Sequence, residues 1–234
     1  MMKNLISAIL LLVLLSAVSC SKDETIISPA QTVDASVSSA VEPVLQMAGI
    51  SAVSQPDVIA KAENDTVIIG SCQYTYDSNV GGYTVSASNV DDSIIILPQV
   101  NGMPVVGIED GGFEGHTELY GILIIPSSIR KIGKRAFAGC TGLVGDLFIP
   151  DSVEQIGESA FENCIGLDGV LYIGKGLKEI PSRCFSGCIS FTGELLIPEN
   201  IRKINSKAFL KCRWIEDEII FASSQVAVEA DAFE

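Results

Sequence analysis

The sequence predicts a right-handed, β-rich solenoid of 24-residue coils, and three observations carry that reading. First, residues recur in columns: Phe113, Phe137, Phe161, Phe185, Phe209 and Phe233 stand 24 apart, as do Cys140, Cys164, Cys188 and Cys212. Ile108, Ile132, Ile156, Ile180, Ile204 and Val228 form another column, and Leu123, Leu147, Leu171, Leu195 and Ile219 another. Ile125, Ile149, Ile173, Ile197 and Phe221 complete the set. A fixed period of this length is the mark of a repeat array. Second, each unit holds a short run such as Leu147-Phe148-Ile149 with the period of two expected of a strand. Pro150 closes that run, because proline lacks a ladder donor. Third, one unit cannot cover its own apolar columns, so neighbours must stack to bury them.

Residues 1–19 read as a signal peptide. Lys3 supplies the positive start, and Leu5 to Val18 is apolar apart from Ser7 and Ser16. As a helix that run rises about 21 Å, short of the roughly 30 Å hydrocarbon core. Leu15-Ser16-Ala17-Val18-Ser19-Cys20 resembles a bacterial lipoprotein signal, which makes Cys20 the lipid-carrying first residue and the chain's contact with a membrane. Ala17 stands where that signal prefers Leu or Val; ordinary cleavage after Ser19 is the alternative, leaving a secreted protein. Ser21-Lys22-Asp23-Glu24 resembles the export tag of surface lipoproteins. Residues 20–65 read as a flexible tether, without an aromatic residue and with Pro29, Pro43 and Pro56 scattered through it. Residues 66–93 read as an N-terminal β cap, with Thr66 to Ile69 and Tyr83 to Val85 as strands around a turn at Gly81-Gly82. Residues 94–234 form the solenoid, beginning with a degenerate coil over 94–116. Gly121, Gly145, Gly169 and Gly193 precede the strands, where a positive φ is expected. Glu229, Asp231 and Glu234, with Glu216 to Glu218, are placed to discourage edge pairing at the last coil.

The repeat length falls in the leucine-rich range. The matching stretches are LIIPSSIRKIGKRAFAGC, LFIPDSVEQIGESAFENC and LLIPENIRKINSKAFLKC. Their pattern resembles the BspA-like leucine-rich repeat family, of the horseshoe class with mostly short strands and turns. LYIGKGLKEIPSRCFSGC departs from it at Gly174 and Cys184. The resemblance covers residues 66–234 and implies a bacterial surface protein of binding or adhesion, held at the outer membrane and exposed there.

The cysteine column reads as small buried thiols without bonds; disulfides, which an exported protein permits, or a metal site are the alternatives. His116, the only histidine, occupies that column in the first coil and has no recurrent acid or nucleophile beside it. If Leu147 and Ile149 face inward, the outward row is Ile124, Phe148, Tyr172, Leu196 and Ile220. Solvent does not require a row that is apolar in every coil, so it is the candidate binding site, with Phe148 and Tyr172 as aromatic anchors. Cover by another part of the chain, or strand propensity alone, is the plainer account of the row. Ile122, Asp146, Val170, Glu194 and Glu218 form a second outward row.

Twelve of the fifteen Lys and Arg lie between Arg130 and Arg213, against nine acids in 121–213. Lys131, Lys134, Arg135, Lys175, Lys178, Arg183, Arg202, Lys203 and Lys207 recur in three of the coils and read as salt-bridged, solvated edges; a patch for an acidic glycan or protein is the sharper alternative. The net charge of −14 argues against nucleic acid as a partner. There is no phosphate loop, HExxH or GxSxG motif, so neither enzyme chemistry, a cofactor nor a metal is expected. Asp65-Thr66-Val67, Asp92-Ser93-Ile94 and Asp151-Ser152-Val153 resemble bacterial O-glycosylation sites. The expected function is recognition of an extracellular protein, or less directly a glycan, through the outward row. The alternative is a structural subunit or spacer in a surface assembly.

Overall fold

Three inward columns and a coil that turns back every 24 residues leave the chain one way to close its core, as a stack. The computed structural model describes residues 66–88, 94–212 and 219–234, all within one compact unit, Ile59–Glu234. The signal, Cys20, the tether, the export-tag resemblance, Asp65, Asp92-Ser93, Arg213 and Glu216 to Glu218 lie outside the described residues.

The described chain opens with three antiparallel strands, β1 (Thr66–Ile69), β2 (Cys72–Asp77) and β3 (Gly82–Ala87). The sequence reading missed β2, and it placed the turn at Gly81-Gly82, whereas Gly82 is already in β3. β4 (Gln99–Val100) folds back on β5 (Met103–Ile108) as a short hairpin. β3 pairs in parallel with β5, so the meander runs directly into the solenoid ladder. Tyr74 pins the segment before β4: its hydroxyl donates to Ile95 O (3.3 Å) and accepts from Leu97 N (3.1 Å).

Each following coil has three sides. The first carries β7 (Leu147–Ile149), β9 (Leu171–Ile173), β11 (Leu195–Ile197) and β13 (Ile219–Phe221). The second carries β6 (Lys131–Ile132), β8 (Gln155–Ile156), β10 (Glu179–Ile180), β12 (Lys203–Ile204) and β14 (Ala227–Val228). All inter-coil pairs are parallel, and each strand pair keeps the 24-residue register, for example Phe148 with Tyr172 and Ile132 with Ile156. The described residues contain no helix.

The third side turns around the phenylalanines. Phe113, Phe137, Phe161, Phe185, Phe209 and Phe233 stack face to face with centroids 5.1–5.7 Å apart. Each ring down to Phe209 is fully buried, a gain of about 1.5–3 kcal/mol apiece. Their amides run a ladder along the stack, from Phe113 N to Ala136 O (2.7 Å) through Phe209 N to Ala232 O (2.8 Å). Two residues before and two after each ring the backbone is left-handed, at Arg135, Ser159, Arg183 and Lys207, and at Gly139, Asn163, Gly187 and Lys211. Gly121, Gly145 and Gly193 take the expected positive φ. Gly169 does not; it is kept small because a Cβ there would lie 2.2 Å from Asp146 Oδ1 and 2.5 Å from its backbone N.

Candidate functional site

The alternation of the first side puts Leu123, Leu147, Leu171 and Leu195 in the core and turns the outward row away from it. Ile124, Tyr172, Leu196 and Ile220 are 36–46% exposed, and Phe148 is half-buried. Ile122 of the second row is exposed as well, as are Tyr120 and Val144, which belong to neither expected row. Of the second row, Val170 is half-buried, Glu194 is exposed, and Asp146 is occupied: its Oδ1 accepts the Val170 amide (2.7 Å).

Phe148 and Tyr172 sit directly opposite each other in the β7–β9 register, with rings stacked at 4.3 Å and 3° from parallel. Leu196 and Ile220 are the equivalent pair on β11 and β13. Among the described residues β7 pairs only with β9 and β11 only with β13, so the row rests on two two-stranded ladders with Ile124 ahead of both. One face of each aromatic ring is taken up by the other, which leaves the remaining surface of the rings and the Tyr172 hydroxyl for a partner.

The six cysteines among the described residues are free and buried, and the four of the column follow the phenylalanines on the third side. Each thiol of the column donates to the carbonyl of the phenylalanine one coil back: Cys140 to Phe113 O (2.9 Å), Cys164 to Phe137 O (3.0 Å), Cys188 to Phe161 O and Cys212 to Phe185 O (both 3.1 Å). That carbonyl also accepts the amide of its own coil's column residue, as Phe137 O does from Cys140 N (3.1 Å). Both lone pairs are thereby filled, which explains a thiol rather than alanine at this position. Burial pushes the Cys140 and Cys212 thiols up to about 12 and those of Cys164, Cys184 and Cys188 well above the usual value. Such thiols are inert as nucleophiles.

His116 departs from the column it occupies: it is only partly buried and its Nδ1 contacts Glu118 Oε1 at 2.6 Å. That hydrogen bond holds the Glu118 carboxyl below its ordinary range. The charged edges are paired in part. Arg135 donates to Glu114, and Glu162 lies between Arg183 and Arg135. Burial would raise Glu162, but the Arg183 and Ser159 hydrogen bonds and both guanidinium charges lower it. Lys134 lies 3.9 Å from Glu158, and Lys203 2.7 Å from Glu229. Glu229 and Asp231, expected as edge guards, are engaged within the stack, Asp231 Oδ2 accepting from Ser206 Oγ (2.7 Å). Ser152 Oγ is buried without a partner, so that position is closed to glycosylation in the fold. Among the described residues no group of three or more His, Cys, Asp or Glu is placed to hold a metal, and no helix is long and apolar enough to cross a membrane.

The BspA type leucine-rich repeat region matches residues 107–234 in six copies. A leucine-rich repeat protein of T. pallidum is similar in structure, 29% identical with a TM-score of 0.56, over 62% of this chain and 66% of that one. A leucine-rich cell surface protein of Faecalibacterium prausnitzii A2-165 is 22% identical with a TM-score of 0.48, over 74% of this chain and 58% of that one. The match thus spans under two thirds of the length of each of these two structures. No curated protein matches the chain.

Proposed function

This chain belongs to the BspA type leucine-rich repeat family, and on that premise we propose that it is a surface-displayed binding protein, lipid-anchored through Cys20 at the outer membrane. Its partner is an extracellular protein, docked along the outward row Ile124, Phe148, Tyr172, Leu196 and Ile220. The observation that carries this reading is the exposure of large apolar side chains at four of the five positions of that row, with Phe148 half-buried beside them, since solvent-facing strands fold without them. A protein fits better than a glycan. Sugar rings stack on open aromatic faces; here each of the two rings covers one face of the other, and the rest of the row, Ile124, Leu196 and Ile220, is aliphatic. The description of the F. prausnitzii protein as a cell surface protein supports the location. The reaction class is recognition rather than catalysis, with no cofactor.

A second reading, a subunit or spacer in a surface assembly, is favoured by Phe221 and Val228, which are 40% and 42% exposed on the coil of Phe233. The deciding experiment screens the full-length protein, purified in detergent, against immobilised extracellular proteins and glycans beside a Phe148→Ser/Tyr172→Ser double variant of confirmed fold. The expected result is a protein hit weakened at least tenfold by the variant. A hit indifferent to the variant removes the row as the site. Self-association through the row, with no other hit, selects the assembly reading.

A further inference from the structure

Three prolines mark the boundaries where neighbouring coils lack a ladder. On the second side, the residue after each strand donates its N–H to the coil before: Gly133 to Ile108 O, Gly157 to Ile132 O and Asn205 to Ile180 O (all 2.9 Å), and Glu229 to Ile204 O (3.0 Å). The same position in the third of these five coils is Pro181, which has no N–H, and β8 and β10 do not pair. The first side obeys the same rule. β7 and β11 are followed by Pro150 and Pro198, and neither pairs with a preceding strand. β9 and β13 are followed by Gly174 and Ala222, and both do; Ala222 N donates to Ile197 O (3.0 Å).

The coil of Phe185 is therefore held differently on its two flanks. Toward the coil of Phe161 it keeps β7–β9 and lacks β8–β10; toward the coil of Phe209 it keeps β10–β12 and lacks β9–β11. The structure shows the loosening on the first of these flanks. Ile156 is half-buried, whereas Ile108, Ile132, Ile180 and Ile204 are no more than 2% exposed. The Phe161–Phe185 spacing of 5.7 Å is the longest in the stack.

We propose that the coil of Phe185 is a two-way hinge of the solenoid, with Pro181 and Pro198 setting its two gaps by withholding one donor each. The gap beside β10 opens toward the N-terminal coils, and the gap beside β11 toward the C-terminal ones. The third side is the axis: Phe161 N to Cys184 O and Asn163 N to Ser186 O (both 2.8 Å), with the Glu162–Arg183 pair, hold the coils together there. Because the gaps lie on different sides, the outward row changes curvature between Tyr172 and Leu196 while each stacked pair stays rigid. The device lies in the fold and does not depend on what binds to the row.

The test is relaxation dispersion of isoleucine methyl groups in the full-length protein, which reads exchange on the microsecond to millisecond scale. Ile156 and Ile180 report the first gap, Ile173 and Ile197 the second, and Ile132 and Ile204 serve as references. Exchange is expected at the four reporters and not at the references. Pro181→Asn installs the residue found at position 205, and Pro198→Ala the residue found at 222. Each restores a donor and is expected to cut the open population at its own gap about fivefold, the effect of one net hydrogen bond, leaving the other gap unchanged. Flat profiles at all four reporters, exchange that neither variant reduces, or exchange confined to the coil of Phe233 would overturn the hinge.

Discussion

The coils of Phe137 to Phe209 and the coil of Phe233 share one sequence pattern and differ in burial. In the inner coils the three strand and edge columns are almost wholly buried, Ile156 apart; in the last coil Phe221 and Val228, in two of those columns, are 40% and 42% exposed and Phe233 is half-buried. The residues have not changed character. What differs is the neighbour, present on both sides of an inner coil and on one side of the last among the described residues. Stability in this molecule is a property of interfaces between coils, as expected of a quasi-one-dimensional array.

High pH gives the largest way to sharpen that contrast. The four column thiols all sit between coils, and their folded pKa values lie above the ordinary value of 9.0. A raised pKa means the fold holds the proton that the unfolded chain gives up. Stability from this source is complete below about pH 9 and is lost as pH rises toward 12. Urea titrations at pH 8 and pH 10.5 should differ by about 2 kcal/mol for each of Cys140 and Cys212, with Cys164 and Cys188 acting in the same direction. Replacement of Cys164 and Cys188 by alanine should lower stability at pH 8 while shrinking the pH dependence; an unchanged dependence would assign it to other groups.

Truncating the phenylalanine stack reads the same contrast on a smaller scale. Phe161→Ala removes a ring stacked on both faces and should cost about 3–5 kcal/mol. Phe233→Ala removes a half-buried ring with one stacking partner and should cost about 1 kcal/mol. Equal losses in denaturant melts would show that the last coil is covered as the inner ones are.

The columns were readable because a 24-residue period repeats each constraint four to six times. The outward row was readable because strand alternation has a period of two. Chemistry that varies within a column was not. Arg135, Ser159, Arg183 and Lys207 share a left-handed backbone, yet nothing in these four residue types announces it. The thiol column was visible, but its acceptor, the phenylalanine carbonyl 27 residues back, depends on the offset between coils. β2, with the sequence Cys-Gln-Tyr-Thr-Tyr-Asp, carries the strand-favouring Tyr74, Thr75 and Tyr76, a signal the expectation passed over, and is held by pairing with β1 and β3. The missing donor of proline was plain from the sequence at Pro150; which ladders it breaks follows only from the register.

The account separates inward columns that hold the stack from an outward row that is free to bind. Its most direct test is a denaturant melt of Phe148→Ser/Tyr172→Ser beside Phe161→Ala in the full-length protein. The outward pair should cost about 1–2 kcal/mol, the worth of one stacked aromatic contact and some partial burial, and so less than the loss from Phe161→Ala. A loss equal to that of Phe161→Ala would make the row part of the structural core and contradict its assignment as a binding face.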